Sequence, residues 1–274
     1  MADTYAAHHA KVDAEADAAD RLSRLHGAFE LHAALLALLL PPDSKRALRA
    51  WKIETASTLG VEGLREHAAS LSGAARLPWF ELLLSRMALQ PLASRKELLQ
   101  STRRVMGARG AMRPIDRLHW LAMRRGLGEV APLAARPEAG VEVAEWLETD
   151  VLALATYTAF LSRMIPEESA DGVDGERWYA EVMKAWQTFA DPPECKPPDV
   201  EHLLEALGKL QTMSWMQRPV VIRNWVTAAI KHCGGTRLGD LAADALRLTC
   251  TLLDSPQPPE LARHYVTLAA DGAR

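Results

Sequence analysis

Cysteine is scarce in this 274-residue chain: Cys195, Cys233 and Cys250 are all it has, and no two stand at CxxC spacing. An odd count without that spacing argues against a disulfide framework or a zinc ribbon, and for a reducing compartment. Charge of one sign is missing as well. Acidic and basic residues nearly cancel, leaving a formal net charge of −3, so no global field calls for nucleic acid or a membrane. Long hydrophobic runs are lacking. The two longest, Leu31–Leu40 and Val151–Leu161, fall short of the roughly 20 residues that span a bilayer, and both read as buried helix. The opening MADTYAAHHAKVDAEADAAD holds neither a basic nor an apolar stretch, which predicts no signal peptide. No segment alternates apolar and polar residues with β-branched enrichment, so no strand is expected.

Motifs that carry chemistry are equally sparse. Of nine histidines none forms HExxH, and His8-His9 and His26…His32 have the wrong spacing to share a metal on one helical face. His232 and Cys233 are adjacent and diverge on a helix. There is no GxSxG, GxxxxGK[ST] or GxGxxG. Glu167, Glu168, Asp171 and Asp174 stand in a turn-rich loop without the apolar surroundings that would raise a carboxyl pKa. The expectation is a non-enzymatic chain with no metal and no cofactor.

What the chain does have is helical periodicity on a globular composition, 49% hydrophobic and 24% charged. Residues 1–20 read as a polar, frayed helical lead-in. Residues 21–40 place Leu22, Leu25, Phe29, His32, Leu36 and Leu39 near one face of a single helix. Pro41-Pro42 stops it, and Asp43 or Ser44 can cap the next helix, which runs toward Gly60. Another short helix fits 61–72, and Pro78 suits the first turn of WFELLLSRMAL. Residues 142–165 read as one long buried helix and 177–190 as another. DPPECKPPD (191–199) cannot be helix, because its four prolines remove donors and fix φ. It marks the expected division between an N-terminal helical domain, 21–190, and a C-terminal one, 195–274.

Within these domains lie two similar stretches, 83–128 and 206–254. In each an arginine (Arg95, Arg218) opens an apolar-periodic segment that stops at glycine (Gly110; Gly234 and Gly235). A turn with a lone aspartate follows (Asp116, Asp240), then a second amphipathic segment. The offset is the same for both landmarks, since 234 − 110 = 124 and 240 − 116 = 124. That pattern predicts a duplicated helical hairpin, an architecture suited to binding and scaffolding.

Charge is unevenly spread. Ten basic residues fall between Arg86 and Arg125 against only Glu97 and Asp116, whereas residues 129–181 hold twelve acidic and three basic residues. Arg103, Arg104, Arg109, Arg113, Arg117, Arg124 and Arg125 therefore form a candidate patch for an anionic or protein partner, or a solvated face partly neutralised by the acidic stretch. Aromatics make up only 6% of the chain, yet eight are tryptophan. Most fit core positions; Trp178 and Trp215, near helix starts or turns, are candidate exposed anchors.

The stretch LHAALLALLL followed by PPD, then RLPWFELLLSRMALQPLASRKELLQSTRRVM, and later RPVVIRNWVTAAIKHCGG with LLDSPQPPEL, resembles the cytoplasmic C-terminal region of bacterial HtpX-like membrane zinc metallopeptidases. That region is itself similar to TerB-like helical modules. The likeness covers residues 31–128 and 200–262. The membrane helices and HExxH of those peptidases have no counterpart in this sequence, so protease activity is not implied. The acidic DG turn that TerB-like modules often carry is replaced by Ala108-Arg109-Gly110 and His232-Cys233-Gly234-Gly235, so neither is metal binding. The resemblance implies an all-α fold of two degenerate TerB-like repeats packed as an orthogonal helical bundle. It implies a module that docks on another protein at a membrane complex, being cytoplasmic and peripheral at the inner membrane. Nucleic-acid or other anion binding through residues 86–125 is the alternative.

Overall fold

The computed structural model describes residues 2–128, 146–166, 172–234 and 237–268, with side chains from His9 onward. Every regular element among them is helical. In chain order these are α1 (Ala2–Ser23), α2 (Ala28–Leu38), α3 (Lys45–Glu54), α4 (Val61–Ser70), α5 (Gly73–Ala88), α6 (Leu92–Gly107) and α7 (Pro114–Gly126), then α8 (Glu148–Leu161), α9 (Val173–Lys184), α10 (Val200–Thr212), α11 (Gln217–His232), α12 (Asp240–Leu252) and α13 (Pro259–Ala262). They group into two compact units. One holds Met1–Asp116, Met123–Val130 and Tyr265–Arg274; the other holds Arg117–Ala122 and Ala131–His264. The expected division near residue 195 falls inside the second unit.

The first unit is built around α2. Its leucines and alanines face every direction, and Leu31 to Leu38 are buried without exception. A helix that is apolar all round has to be enclosed, and α3, α4, α5 and α6 enclose this one. Trp51 of α3 donates its Nε1–H to the Ala33 carbonyl at 3.1 Å. Ser44 caps α3, its hydroxyl accepting from the Ala47 N–H at 3.2 Å. Two arginines of α5 close helix C-termini, whose last carbonyls lack partners within their own helix. Arg76 donates to the carbonyls of Leu38 (2.8 Å) and Leu40 (3.1 Å), and Arg86 to those of Ser23 (2.8 Å) and Leu25 (3.1 Å).

Three expectations for this unit are corrected. Residues 21–40 are two helices, because α1 ends at Ser23 and α2 starts after Gly27. Arg86 holds the carbonyls in the break, and Phe29 is exposed rather than on the buried face. The lead-in is part of α1, anchored by buried Ala18 and Leu22. Pro78 lies inside α5 rather than in its first turn. Proline has no N–H for the carbonyl four residues back, and that carbonyl, Ala74, instead accepts from the Val266 N–H at 3.1 Å.

The second unit is built around α8, whose run from Val151 to Leu161 is buried except at Leu152 and Thr156. The described helix starts at Glu148, later than expected, with Asp150 accepting from the Leu147 N–H at 3.1 Å; residues 142–145 lie outside the described residues. Helices α9 and α10 pack on α8, and α11 packs on α9 and α12. Polar groups inside are matched: Trp225 Nε1–H donates to Thr158 Oγ1 (2.9 Å), and the Tyr157 and Thr249 hydroxyls pair at 3.1 Å. Gly175 brings α9 against the end of α8 so closely that a Cβ there would stand 2.0 Å from the Ser162 carbonyl oxygen. Helix α9 begins at Val173, inside the stretch expected to be loop, and ends at Lys184. Residues 191–199 are non-helical, as their prolines require, and Pro193 accepts from the Tyr179 hydroxyl at 2.6 Å.

Candidate binding surfaces

The two sequence stretches fold into hairpins of matching parts, α6–α7 and α11–α12. In each a 16-residue helix precedes a 13-residue one. A glycine in the left-handed region follows the first helix, Gly110 (φ 97°) or Gly234 (φ 66°). Each second helix ends at a leucine C-cap, Leu127 or Leu253, followed by another left-handed residue, Gly128 (φ 82°) or Asp254 (φ 50°). The opening arginine reaches that C-cap in both hairpins: Arg95 Nη1 donates to the Leu127 carbonyl at 3.1 Å, and Arg218 Nη1 to the Leu253 carbonyl at 2.8 Å. The landmark arginines thus latch the far end of the second helix to the near end of the first. Such use of the guanidinium satisfies carbonyls that would otherwise be orphaned.

The lone aspartates also do structural work, with different partners. Asp116 is buried in the first turn of α7 and accepts from the Arg113 N–H at 3.1 Å. Arg113 reaches it through Nη2 at 3.2 Å, and Arg109 pairs with it at 2.5 Å. Burial alone would push its carboxyl pKa up. The hydrogen bonds from Arg113 and Arg109 outweigh that and hold it below the ordinary value. Asp240 is exposed and pairs with the buried His264 Nε2 at 3.0 Å.

The seven candidate arginines are not equivalent. Arg109 is 9% exposed and balances Asp116 internally. Arg113 shares that carboxylate with its side chain half exposed. Arg104 is exposed and grips Glu54 of α3 with two hydrogen bonds of 2.6 Å. Arg103 is exposed on α6, and Arg117, Arg124 and Arg125 are half-buried on α7. Much of the acidic stretch expected to offset this segment, residues 129–145 and 167–171, lies outside the described residues.

Sequence reasoning missed the cluster behind Arg104. Glu54 also accepts from the buried Ser101 hydroxyl at 2.7 Å, and the Arg104 hydrogen bond holds its carboxyl pKa down. His32 is buried on α2 nearby, with Nε2 lacking a hydrogen-bond partner, and burial lowers its pKa despite Glu97 and Glu54. No spacing could signal this group, since it gathers residues from α2, α3 and α6.

The tryptophan anchors divide. Trp178 is fully buried and donates to the Trp225 carbonyl at 3.4 Å, so the expectation of an exposed anchor there is corrected. It faces inward because α9 lays that side against the core formed with α8 and α11. Trp215 is 49% exposed at the turn into α11. A groove of about 510 Å³ between α8 and α10 was also not anticipated; Leu152, Ala153, Thr156, His202, Glu205 and Lys209 line it. Its charges are largely matched in place, Lys209 with Asp150 (3.1 Å) and His202 with Asp199 (2.9 Å). The Thr156 hydroxyl donates back to the Leu152 carbonyl at 2.9 Å, so the floor offers mostly apolar surface.

Among the described residues no group of three or more His, Cys, Asp or Glu is placed to hold a metal ion, and no helix is long and apolar enough to cross a membrane. No protein-family model, curated protein or solved structure matches this chain.

Proposed function

We propose that this chain is a non-enzymatic helical adaptor, built from two degenerate TerB-like hairpins, that docks on a partner protein through the arginine-bearing face of its first hairpin. The observation that carries the reading is the use of the landmark residues. Arg95, Arg218 and Asp116 are all spent on helix ends, which is the work of a scaffold rather than of a reacting centre. Recognition is assigned to the exposed Arg103 and Arg113 and the half-buried Arg117, Arg124 and Arg125, since arginine is favoured where protein surfaces meet. In this reading the chain is cytoplasmic and reaches a membrane-associated complex through its partner.

The test is capture of a protein by the tagged chain and by an Arg103→Glu/Arg117→Glu variant, with thermal midpoints to check folding. One protein recovered in stoichiometric amount by the wild type and lost with the folded variant supports docking. The rival reading, anion or nucleic-acid binding by the same arginines, requires retention of DNA or RNA that falls steeply with salt.

A further inference from the structure

From Ala206 to Gly239 the sequence holds no acidic residue. Of its cations, Lys209 and Lys231 pair with Asp150 and Glu181 and Arg218 is buried, while Arg223 and Arg237 are exposed. At the centre of this run the turn from α10 into α11 exposes three apolar side chains together: Trp215 (49%), Met216 (49%) and Val220 (55%). They are held there by the backbone. Ser214 and Gln217 form a reciprocal capping box, Gln217 N–H donating to Ser214 Oγ at 3.2 Å and Ser214 N–H to Gln217 Oε1 at 3.0 Å. The next residue, Arg218, pins the turn by donating from Nε to the Met213 carbonyl at 3.1 Å and from Nη1 to that of Leu253. A rigid turn that presents a tryptophan and a methionine to water is a feature that asks for a covering.

The surrounding charge specifies what that covering is. Met216, Val220, Arg223 and Thr227 follow one another at helical spacing, and all are exposed. The apolar end of this stripe is therefore followed by a cation. Arg223 is exposed, and no acidic residue occupies the first turn of α11 to offset its positive end. An apolar edge rather than a groove, with an indole at its tip and positive charge behind it, matches the boundary between acyl chains and anionic headgroups. We propose that the Trp215–Arg223 edge of α11 is a contact site for anionic phospholipid surfaces, inserting Trp215, Met216 and Val220 while Arg223 meets the headgroups. This goes beyond the adaptor reading and needs no protein partner.

The experiment uses the purified chain and vesicles of phosphatidylcholine with or without phosphatidylglycerol, whose anionic headgroups attract basic segments. The wild type is expected to co-sediment with the anionic vesicles, less so at high salt, and brominated acyl chains are expected to quench part of its tryptophan emission. Trp215→Ser/Met216→Ser should weaken binding roughly tenfold and Arg223→Glu roughly fivefold, while Trp215→Phe should abolish the quenched fraction. Leu59→Ser, at an exposed leucine of the first unit, is the control and should bind as wild type. Failure to bind anionic vesicles overturns the proposal. So does binding that survives the Trp215/Met216 change, or that is equal on neutral vesicles. Loss of a captured protein in the Trp215/Met216 variant, with vesicles never bound, would give this edge to a protein and refute the lipid assignment. An Arg103→Glu/Arg117→Glu variant that keeps vesicle binding while losing its protein partner separates the two readings.

Discussion

Arg218 donates to the carbonyl oxygen of Leu253 at 2.8 Å across the α11–α12 hairpin, and Arg95 makes the equivalent bond to Leu127 in α6–α7 at 3.1 Å. The two differ in burial, Arg218 being buried and Arg95 half-buried. That difference makes their removal unequal. Arg218→Met leaves the Met213 and Leu253 carbonyls without their donors and should cost about 3 kcal/mol, against about 1 kcal/mol for Arg95→Met. Urea unfolding of both variants measures this; equal effects would show that the latch is not what these arginines provide.

Asp116→Asn should cost about 3 kcal/mol, because Arg109 would keep its buried charge and lose the carboxylate that balances it. The pH dependence has a definite sign. The folded-state pKa of Asp116 is lowered, so its stabilisation is complete above the unfolded carboxyl value of about 3.9 and is lost as pH falls through the folded value. Chemical denaturation at pH 7 and pH 3 should therefore show a larger acid loss in the wild type than in Asp116→Asn.

His32 predicts a separate and milder pH effect. Burial lowers its pKa, so the unfolded chain takes up the proton first. Stability then declines as pH falls below about 6.5 toward the folded value. His32→Leu removes that titration and the unpartnered Nε2. It should flatten the stability profile between pH 6.5 and 5, as read by thermal midpoints.

Gly175→Ala should prevent stable folding of the second unit or cost at least about 3 kcal/mol, since its Cβ would overlap the Ser162 backbone oxygen. Gly126→Ala meets only the Leu84 side chain, at 3.1 Å, and should be mild because that side chain can turn. Comparing the two circular-dichroism melts checks the contrast.

What could be read from the sequence was local. The apolar runs of α2 and α8 are buried helices, Ser44 caps α3, and Arg95, Gly110 and Asp116 mark one hairpin as Arg218, Gly234 and Asp240 mark the other. What escaped depended on partners distant in the chain. Leu22 and Leu25 keep a helical rhythm through a break that Arg86 stabilises from 61 or more residues away. The proline inside α5 is tolerated because Val266 supplies the missing donor. The Arg113–Asp116 pair is three residues apart and visible in sequence, whereas Arg104 finds Glu54 at a separation of 50. Trp178 and Trp215 carry the same residue type in similar settings, and only packing separates the buried one from the exposed one.

The adaptor account is tested most directly by offering the tagged chain both proteins and nucleic acid at about 50 and about 200 mM salt. It predicts that one protein is retained at both concentrations and is lost with the folded Arg103→Glu/Arg117→Glu variant. Recovery of nucleic acid alone, with affinity falling several-hundred-fold across that salt range as five phosphate contacts would require, contradicts it.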